Sequence, residues 1–328
     1  MSDEVSLIAI EKAAERIAPY IHRTPILRSR QLDEMFGCTL LFKGEHLQKA
    51  GAFKARGAHN AVLQLGDAEA SKGVATHSSG NHGAALALAA RNRGTRAYVV
   101  MPENAPRAKK EAVEGYGAEI VYCESTLEAR ERTLGEVQAR TGAHFVHPYE
   151  DLRVICGQGT IGLEIAQQCG SEPPDVVIAP VGGGGLLSGV AVAIAALLPR
   201  CEVIAAEPEG ADDAFRSLRD GRWQPQLAPD TIADGLLTSL GRSNFEIIRT
   251  HVRDILTVSD DAIVEAMKLI WSRTKQVVEP SAAVTLAAVL GDQERFAGRR
   301  VALILSGGNV DLDRLPWVSD RVDRGAPA

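Results

Sequence analysis

Apolar residues along the chain keep two rhythms. Short runs rich in valine, isoleucine and leucine at 39–43, 73–77, 96–101, 118–122, 175–180, 202–206 and 301–305 have the length and composition of buried strands. Around them, apolar positions recur at helical spacing over 5–18, 56–65, 81–93, 106–115, 125–141, 158–169, 186–198, 260–273 and 281–291. Strands alternating with helices predict an α/β fold whose parallel sheet is covered on both faces. No low-complexity linker or internal repeat breaks the pattern.

Three strand runs end in glycine-rich turns. The first gives Thr76-His-Ser-Ser-Gly80-Asn81-His82-Gly83 before an alanine-rich helix. The second gives Gly182-Gly183-Gly184-Gly185 before an apolar helix, and the third gives Ser306-Gly307-Gly308-Asn309. A strand feeding a helix through glycines leaves backbone N–H groups free at the positive end of the helix dipole, where phosphate binds. Four consecutive glycines leave no Cβ to hold a phosphate off the main chain. The run is not a P-loop, since no Gly-Lys-Ser/Thr follows, and no register of 182–189 reads Gly-x-Gly-x-x-Gly. Taken alone it also serves as a ligand-free strand–helix turn.

Lys54 lies in Gly51-Ala-Phe-Lys-Ala-Arg-Gly57, between an aromatic and small residues where loop gives way to helix. A lysine held there can form a Schiff base with a carbonyl once its ammonium loses a proton, which desolvation eases. Lys54 and the glycine run together point to a ligand carrying both an aldehyde and a phosphate.

Composition narrows the partners. A chain of 328 residues buries a large core and suggests two domains. A net charge of −6 argues against nucleic acid and anionic membrane, and no apolar run is long enough to span a bilayer. Met1-Ser-Asp-Glu-Val5 lacks the basic start of a signal peptide. The five cysteines show no Cys-x-x-Cys spacing and read as reduced thiols, so the expected location is cytoplasmic.

Gly51–Gly57, Thr76–Gly83, Gly182–Gly185 and Leu305–Asp311 together resemble the serine/threonine dehydratase and serine racemase family of pyridoxal-phosphate enzymes. The likeness runs from His22-Arg-Thr-Pro25 to Asn309-Val-Asp311 and is nearest to the serine racemase and 3-hydroxyaspartate dehydratase branch. It implies fold type II, the tryptophan-synthase-β-like arrangement of two open parallel-sheet domains. The large domain would be 1–69 with 151–328 and the small one 70–150, and the enzyme would be a homodimer. No regulatory domain of the biosynthetic threonine dehydratase kind is expected after Trp317.

The resemblance also assigns roles. Lys54 would carry pyridoxal 5'-phosphate and then act as base at the substrate Cα. Phe53 would pack on the cofactor ring, Gly182–Gly185 would cradle its phosphate, Asn81 would bond its phenolic oxygen and Ser306 its pyridine nitrogen. A serine hydroxyl cannot enforce ring protonation as an aspartate would, which favours elimination over transamination. Ser78, Ser79, Asn81 and His82 would hold the substrate carboxylate, though serine and asparagine also favour an ordinary helix N-cap. Ser79 would face Cα opposite Lys54, as a two-base racemase requires. Arg130, Tyr149 and Ser239 match substrate-side positions. Arg130, in Glu128-Ala-Arg-Glu-Arg132, reads from spacing alone as a solvated helix face; at the site it would pair with a second substrate carboxylate. Tyr149 departs from the asparagine of the mammalian racemase pattern.

Glu207, the Ala211 carbonyl and Asp213 match a segment that binds Mg²⁺, Ca²⁺ or Mn²⁺ in the racemases, a hard oxygen set. His144-x-x-His147 lacks the zincin glutamate and reads as core or loop. The expected activity is β-elimination on L-serine, L-threonine or 3-hydroxyaspartate, giving a 2-oxo acid and ammonia. Serine or aspartate racemisation is the second reading and a catalytically silent amino-acid-binding module the third. Cysteine-synthase-type β-replacement is disfavoured, because its asparagine-rich substrate loop is replaced by Ser-Ser-Gly-Asn-His.

Overall fold

The computed structural model describes residues 4–78, 80–105 and 107–318. Among them, ten strands form two sheets: β1 (Ile26–Leu27), β2 (Thr39–Lys43), β3 (Val74–His77), β4 (Ala97–Pro102), β5 (Glu119–Cys123), β6 (His144–Phe145), β7 (Val176–Pro180), β8 (Glu202–Pro208), β9 (Asp254–Val258) and β10 (Arg300–Ile304). The smaller sheet has the order β5-β4-β3-β6 and is wholly parallel. The larger has the order β1-β2-β10-β7-β8-β9, with β1 alone antiparallel. Two open parallel sheets with helices on their faces are the fold type II arrangement.

The larger sheet's alternation explains its burial. Leu40, Phe42, Val176, Ile178, Ile204, Ala206, Val301 and Leu303 point to one face, against the helices Asp260–Thr274 and Pro280–Gly291. Their neighbours Leu41, Val177, Ala179, Val203, Ala205 and Ala302 point to the other, against Leu152–Cys169, Gly185–Leu197 and Arg242–His251. With both faces covered, the strands are nearly continuous apolar runs, as parallel sheets require. No described helix is long and apolar enough to cross a membrane.

The structure departs from the sequence expectation at several elements. Helix 158–169 begins six residues earlier, at Leu152. Its first turns carry no amphipathic stripe because Val154, Ile155, Cys156, Gly157 and Gln158 are all buried. It also runs close to the helix Lys54–Val62: a Cβ on Gly157 would lie 2.6 Å from Gly57 Cα. Periodicity does not mark the helices Arg30–Phe36, Asp213–Asp220 and Arg242–His251, or strands β1, β6 and β9. They are short, and β9 is an edge strand with only two buried positions.

Beneath the helix Lys54–Val62 lies a buried ionic lattice. Arg56 donates from Nε and one terminal nitrogen to Glu45, at 2.7 and 2.8 Å. It also donates to both oxygens of Glu164, at 2.7 and 2.9 Å. Lys43 Nζ reaches Glu164 at 2.5 Å and the Thr24 carbonyl at 2.7 Å, and Thr24 Oγ1 donates to Glu45 at 2.5 Å. Two cations face two carboxylates, so the group is neutral as a whole.

Candidate active site

The site forms where strand ends of both sheets meet, outside their carboxyl edges, as open α/β sheets favour. From β2 the chain passes through two short 3-10 turns, with Ala50 at φ 56° and Gly51 at φ 70°. The Phe53 N–H donates to the Ser306 carbonyl at 3.0 Å, and Ala52 forms a bridge with Gly307. This short pairing brings Lys54 and Ser306, 252 positions apart in the sequence, to one wall. Lys54 Nζ donates to the Pro148 carbonyl at 2.8 Å and lies 5.1 Å from the Phe53 ring centroid. The Lys54 side chain is half-buried, and desolvation around its ammonium lowers its pKa to about 8. Roughly a tenth of the amine is then neutral at pH 7.

The glycine run follows β7 and opens the 13-residue helix Gly185–Leu197. Among the described residues, nothing accepts a hydrogen bond from the N–H groups of Gly182, Gly183, Gly184 or Gly185. Gly184, at φ 89°, turns the chain into the helix, and a Cβ on Gly183 would lie 2.3 Å from Tyr149 Cγ. Asn244 Nδ2 pins the loop by donating to the Gly183 carbonyl at 2.7 Å and the Tyr149 carbonyl at 2.8 Å. Free N–H groups at a helix N-terminus, with no side chain in front of them, fit a phosphate. An amine poised near neutrality fits an aldehyde. The pocket therefore suits pyridoxal phosphate. Sequence reasoning misses Asn244, which carries no local motif.

Asn81, the first residue of the helix Asn81–Arg93, donates from Nδ2 to Glu279 Oε1 at 2.8 Å, and its Oδ1 accepts from Asn309 Nδ2 at 2.9 Å. Glu279 is likewise not marked by the sequence. It is 4% exposed, and burial pushes its carboxyl up to about 8, with Asp234 adding to the rise. A Cβ on Gly307 would lie 2.3 Å from Glu279 Oε1 and 3.1 Å from Asn81 Nδ2, so Asn81 neighbours the turn that begins at Ser306. Ser306 is buried as a residue, and its hydroxyl bonds to no other described residue.

Residues expected on the substrate side are partly gathered. Ser78 Oγ accepts from the Gly80 N–H at 3.3 Å. Ser79 lies outside the described residues. His82 is buried, its Nε2 3.2 Å from the Val146 carbonyl and its Nδ1 without a partner among the described residues. Desolvation, with Lys54 nearby, holds it well below the ordinary histidine pKa. His147, 4.6 Å from the Tyr149 ring, is lowered to about 4 by the same kind of burial. Tyr149 is pushed up to about 12 and stays a neutral phenol. His147 lies in a loop, as read from the sequence, whereas His144 is neither core nor loop: it is half-buried in the two-residue edge strand β6. Ser239 Oγ accepts from the Gln226 N–H at 3.1 Å.

Arg130 does not lie on a fully solvated helix face. It is half-buried, and its charge acts on His77 at the end of β3 and Cys123 at the end of β5. Its Nε is buried without an acceptor, and the guanidinium forms no ion pair among the described residues. Glu207, Ala211 and Asp213 are all buried. Glu207 accepts from the Ala214 and Phe215 N–H groups at 3.1 and 2.8 Å, and Asp213 accepts from the Leu240 N–H at 2.7 Å while its Oδ1 has no described partner. Burial raises both carboxyls, Asp213 to about 6, and Asp213 pushes Glu207 further up.

A family model described as "Pyridoxal-phosphate dependent enzyme" matches residues 17–307. The chain belongs to that family. It is 53% identical over 305 residues to a beta-hydroxyaspartate dehydratase of Paracoccus denitrificans (strain Pd 1222), covering 93% of this chain and 96% of the relative. It is 47% identical over 315 residues to a serine racemase of Dictyostelium discoideum, covering 95% and 97%. Among solved structures, a threonine deaminase (T.th.) superposes with a TM-score of 0.90 at 50% identity, over 93% of this chain and 99% of that one. The protein is a pyridoxal-phosphate-dependent enzyme of the dehydratase and racemase group, and its fold and its pyridoxal phosphate are those expected from the sequence.

Proposed function

We propose that this enzyme is a dehydratase that removes water from 3-hydroxyaspartate and releases a 2-oxo dicarboxylic acid and ammonia. The observation carrying the choice of substrate is Arg130: a half-buried guanidinium beside the ends of β3 and β5 with no acidic partner among the described residues. A guanidinium drawn partly out of water, with its Nε lacking an acceptor among the described residues, is complemented by a carboxylate brought by the ligand. The 53% identity with a beta-hydroxyaspartate dehydratase supports the same substrate.

When bound, pyridoxal phosphate supplies the carbonyl that the substrate amine engages and the electron sink that loosens the Cα–H bond. The chain's part is to bind, orient and move protons. The N–H groups of Gly182–Gly185 would take the phosphate, Phe53 would lie against the ring, Asn81 would meet the phenolic oxygen and Ser306 the pyridine nitrogen. The N–H groups at the start of the helix Asn81–Arg93, with Ser78 and His82, would hold the α-carboxylate. Lys54 would remove the Cα proton, aided by a pKa already lowered to about 8. The β-hydroxyl would leave as water, the proton lost from Cα balancing it, and the released enamine would tautomerise to an imine that a second water hydrolyses to the oxo acid and ammonia. Racemisation is the second reading, favoured by a serine at position 79 and the 47% identical serine racemase. The two-sheet topology supports a large domain of 1–69 with 151–328 and a small one of 70–150.

Arg130→Ala tests the substrate. The kcat/KM for 3-hydroxyaspartate should fall roughly 10²-fold, as expected for losing a bidentate charge-assisted pair, while that for L-serine changes little. Equal losses on both substrates would remove Arg130 from recognition.

Glu207, the Ala211 carbonyl and Asp213 would hold a divalent cation, Mg²⁺ or Ca²⁺. Support comes from two carboxyls that burial raises, Glu207 further lifted by Asp213, and from the Asp213 Oδ1 that has no partner among the described residues, since a hard cation would neutralise both. Chelation should lower the melting temperature and added Mg²⁺ restore it. A melting temperature indifferent to both treatments would rule the site out.

A further inference from the structure

Asn81 can meet a cofactor oxygen in two ways, because its amide presents a donor on one side and an acceptor on the other. Its neighbours leave one choice. The Ala50 carbonyl oxygen can only accept, and Asn309 Nδ2 donates to it at 2.8 Å. The second N–H on that nitrogen goes to Asn81 Oδ1 at 2.9 Å. Turning the Asn309 amide over would set its oxygen against two other oxygens. On the opposite side, Asn81 Nδ2 donates to the buried Glu279 Oε1 at 2.8 Å. Asn309 therefore sets the orientation, Glu279 accepts in keeping with it, and the remaining Asn81 N–H has no acceptor among the described residues.

The start of this chain of bonds is built into the backbone. Ala50 holds φ 56° and ψ 19°, a left-handed conformation that disfavours a residue with a Cβ. Strain of this kind persists only where the surroundings impose it. Here they do: the Gly308 N–H donates to the Gly51 carbonyl at 2.9 Å, and the Phe53 N–H donates to the Ser306 carbonyl at 3.0 Å. A Cβ on Gly51 would lie 2.3 Å from Asn309 Oδ1, so that amide is seated directly on the turn. Asn309 sits at the exposed rim and Glu279 in the interior, so the Asn81 amide is gripped from both.

We propose that the Ala50 carbonyl, acting through Asn309 and matched by Glu279, fixes the Asn81 amide so that it presents an N–H to the phenolic oxygen of pyridoxal phosphate. A donor stabilises that oxygen as an anion, whereas an acceptor would oppose its ionisation. Asn309 and Glu279 are positioning residues in this scheme. The proposal rests on the reading that Asn81 faces the phenolic oxygen, and the test separates the two.

Asn309→Asp keeps the size of the side chain and replaces its donors with acceptors, which turns the Asn81 amide over. The holoenzyme of this variant should lose intensity in its visible absorption band in favour of the near-ultraviolet one, and pyridoxal phosphate should bind roughly ten-fold more weakly. The melting temperature of the cofactor-free protein, measured alongside, should barely move, which separates reorientation from loss of structure. Asn309→Ser can donate to only one of the two oxygens. It should fall between the wild type and Asn309→Asp, and it carries the test if the aspartate variant does not fold. Asn81→Ala serves as the reference. If it shifts band and affinity while both Asn309 variants match the wild type, the relay is wrong. If Asn81→Ala itself changes neither, Asn81 does not face the phenolic oxygen and the proposal falls with that reading.

Discussion

Lys54→Ala is expected to abolish the visible absorption of the cofactor-loaded protein and to cut oxo-acid formation by at least about 10³-fold. The first effect follows from losing the amine that forms the Schiff base, the second from losing the base at Cα. The variant should fold normally. Lys54 makes one hydrogen bond, to the Pro148 carbonyl at 2.8 Å, and its ammonium already resists desolvation. Removing a cation that burial disfavours does not remove a stabilising pair. Absorbance and an ammonia assay on the purified variant suffice, and turnover near that of the wild type would break the assignment.

Arg56→Ala, two residues along the same helix, should have the opposite profile: intact chemistry in principle, but a protein that hardly folds. Arg56 is fully buried, and its guanidinium is the common partner of Glu45 and Glu164. Without it two buried carboxylates face Lys43 alone. Breaking one buried pair by removing a single partner costs about 3–5 kcal/mol, because the other charge stays in the interior unpaired. The expected result is a large fall in melting temperature or insoluble protein. Arg56→Lys should recover only part of the loss, since an ammonium cannot engage two carboxylates bidentately. A melting temperature within a few degrees of the wild type for Arg56→Ala would mean that water or rearrangement relieves the lattice.

What the sequence makes legible follows from how local each signal is. Lys54 and Gly182–Gly185 can be read because their chemistry needs neighbours adjacent in the chain: small residues around an amine, and bare backbone before a helix. The parallel sheets are readable because β7 is apolar along its length and β8 carries the apolar run Val203–Ala206. Helix 152–169 is visible for two-thirds of its length, since the first third is enclosed and loses the stripe that marks amphipathic helices. Arg130 is balanced between surface and site, and only the lack of a partner among the described residues favours the site reading. Glu279, Asn244 and the role of Asn309 are not readable at all. Asn81 meets Glu279 across 198 positions and Asn309 across 228, and a single glutamate before a proline carries no mark of that contact.

The most direct test of the account is product analysis of the wild-type holoenzyme in D₂O, with the stereoisomers of 3-hydroxyaspartate, L-serine and L-threonine as separate substrates. The account predicts equimolar oxo acid and ammonia, with the highest kcat/KM for one isomer of 3-hydroxyaspartate. Recovery of α-deuterated antipode without oxo acid would contradict it and make the enzyme a racemase.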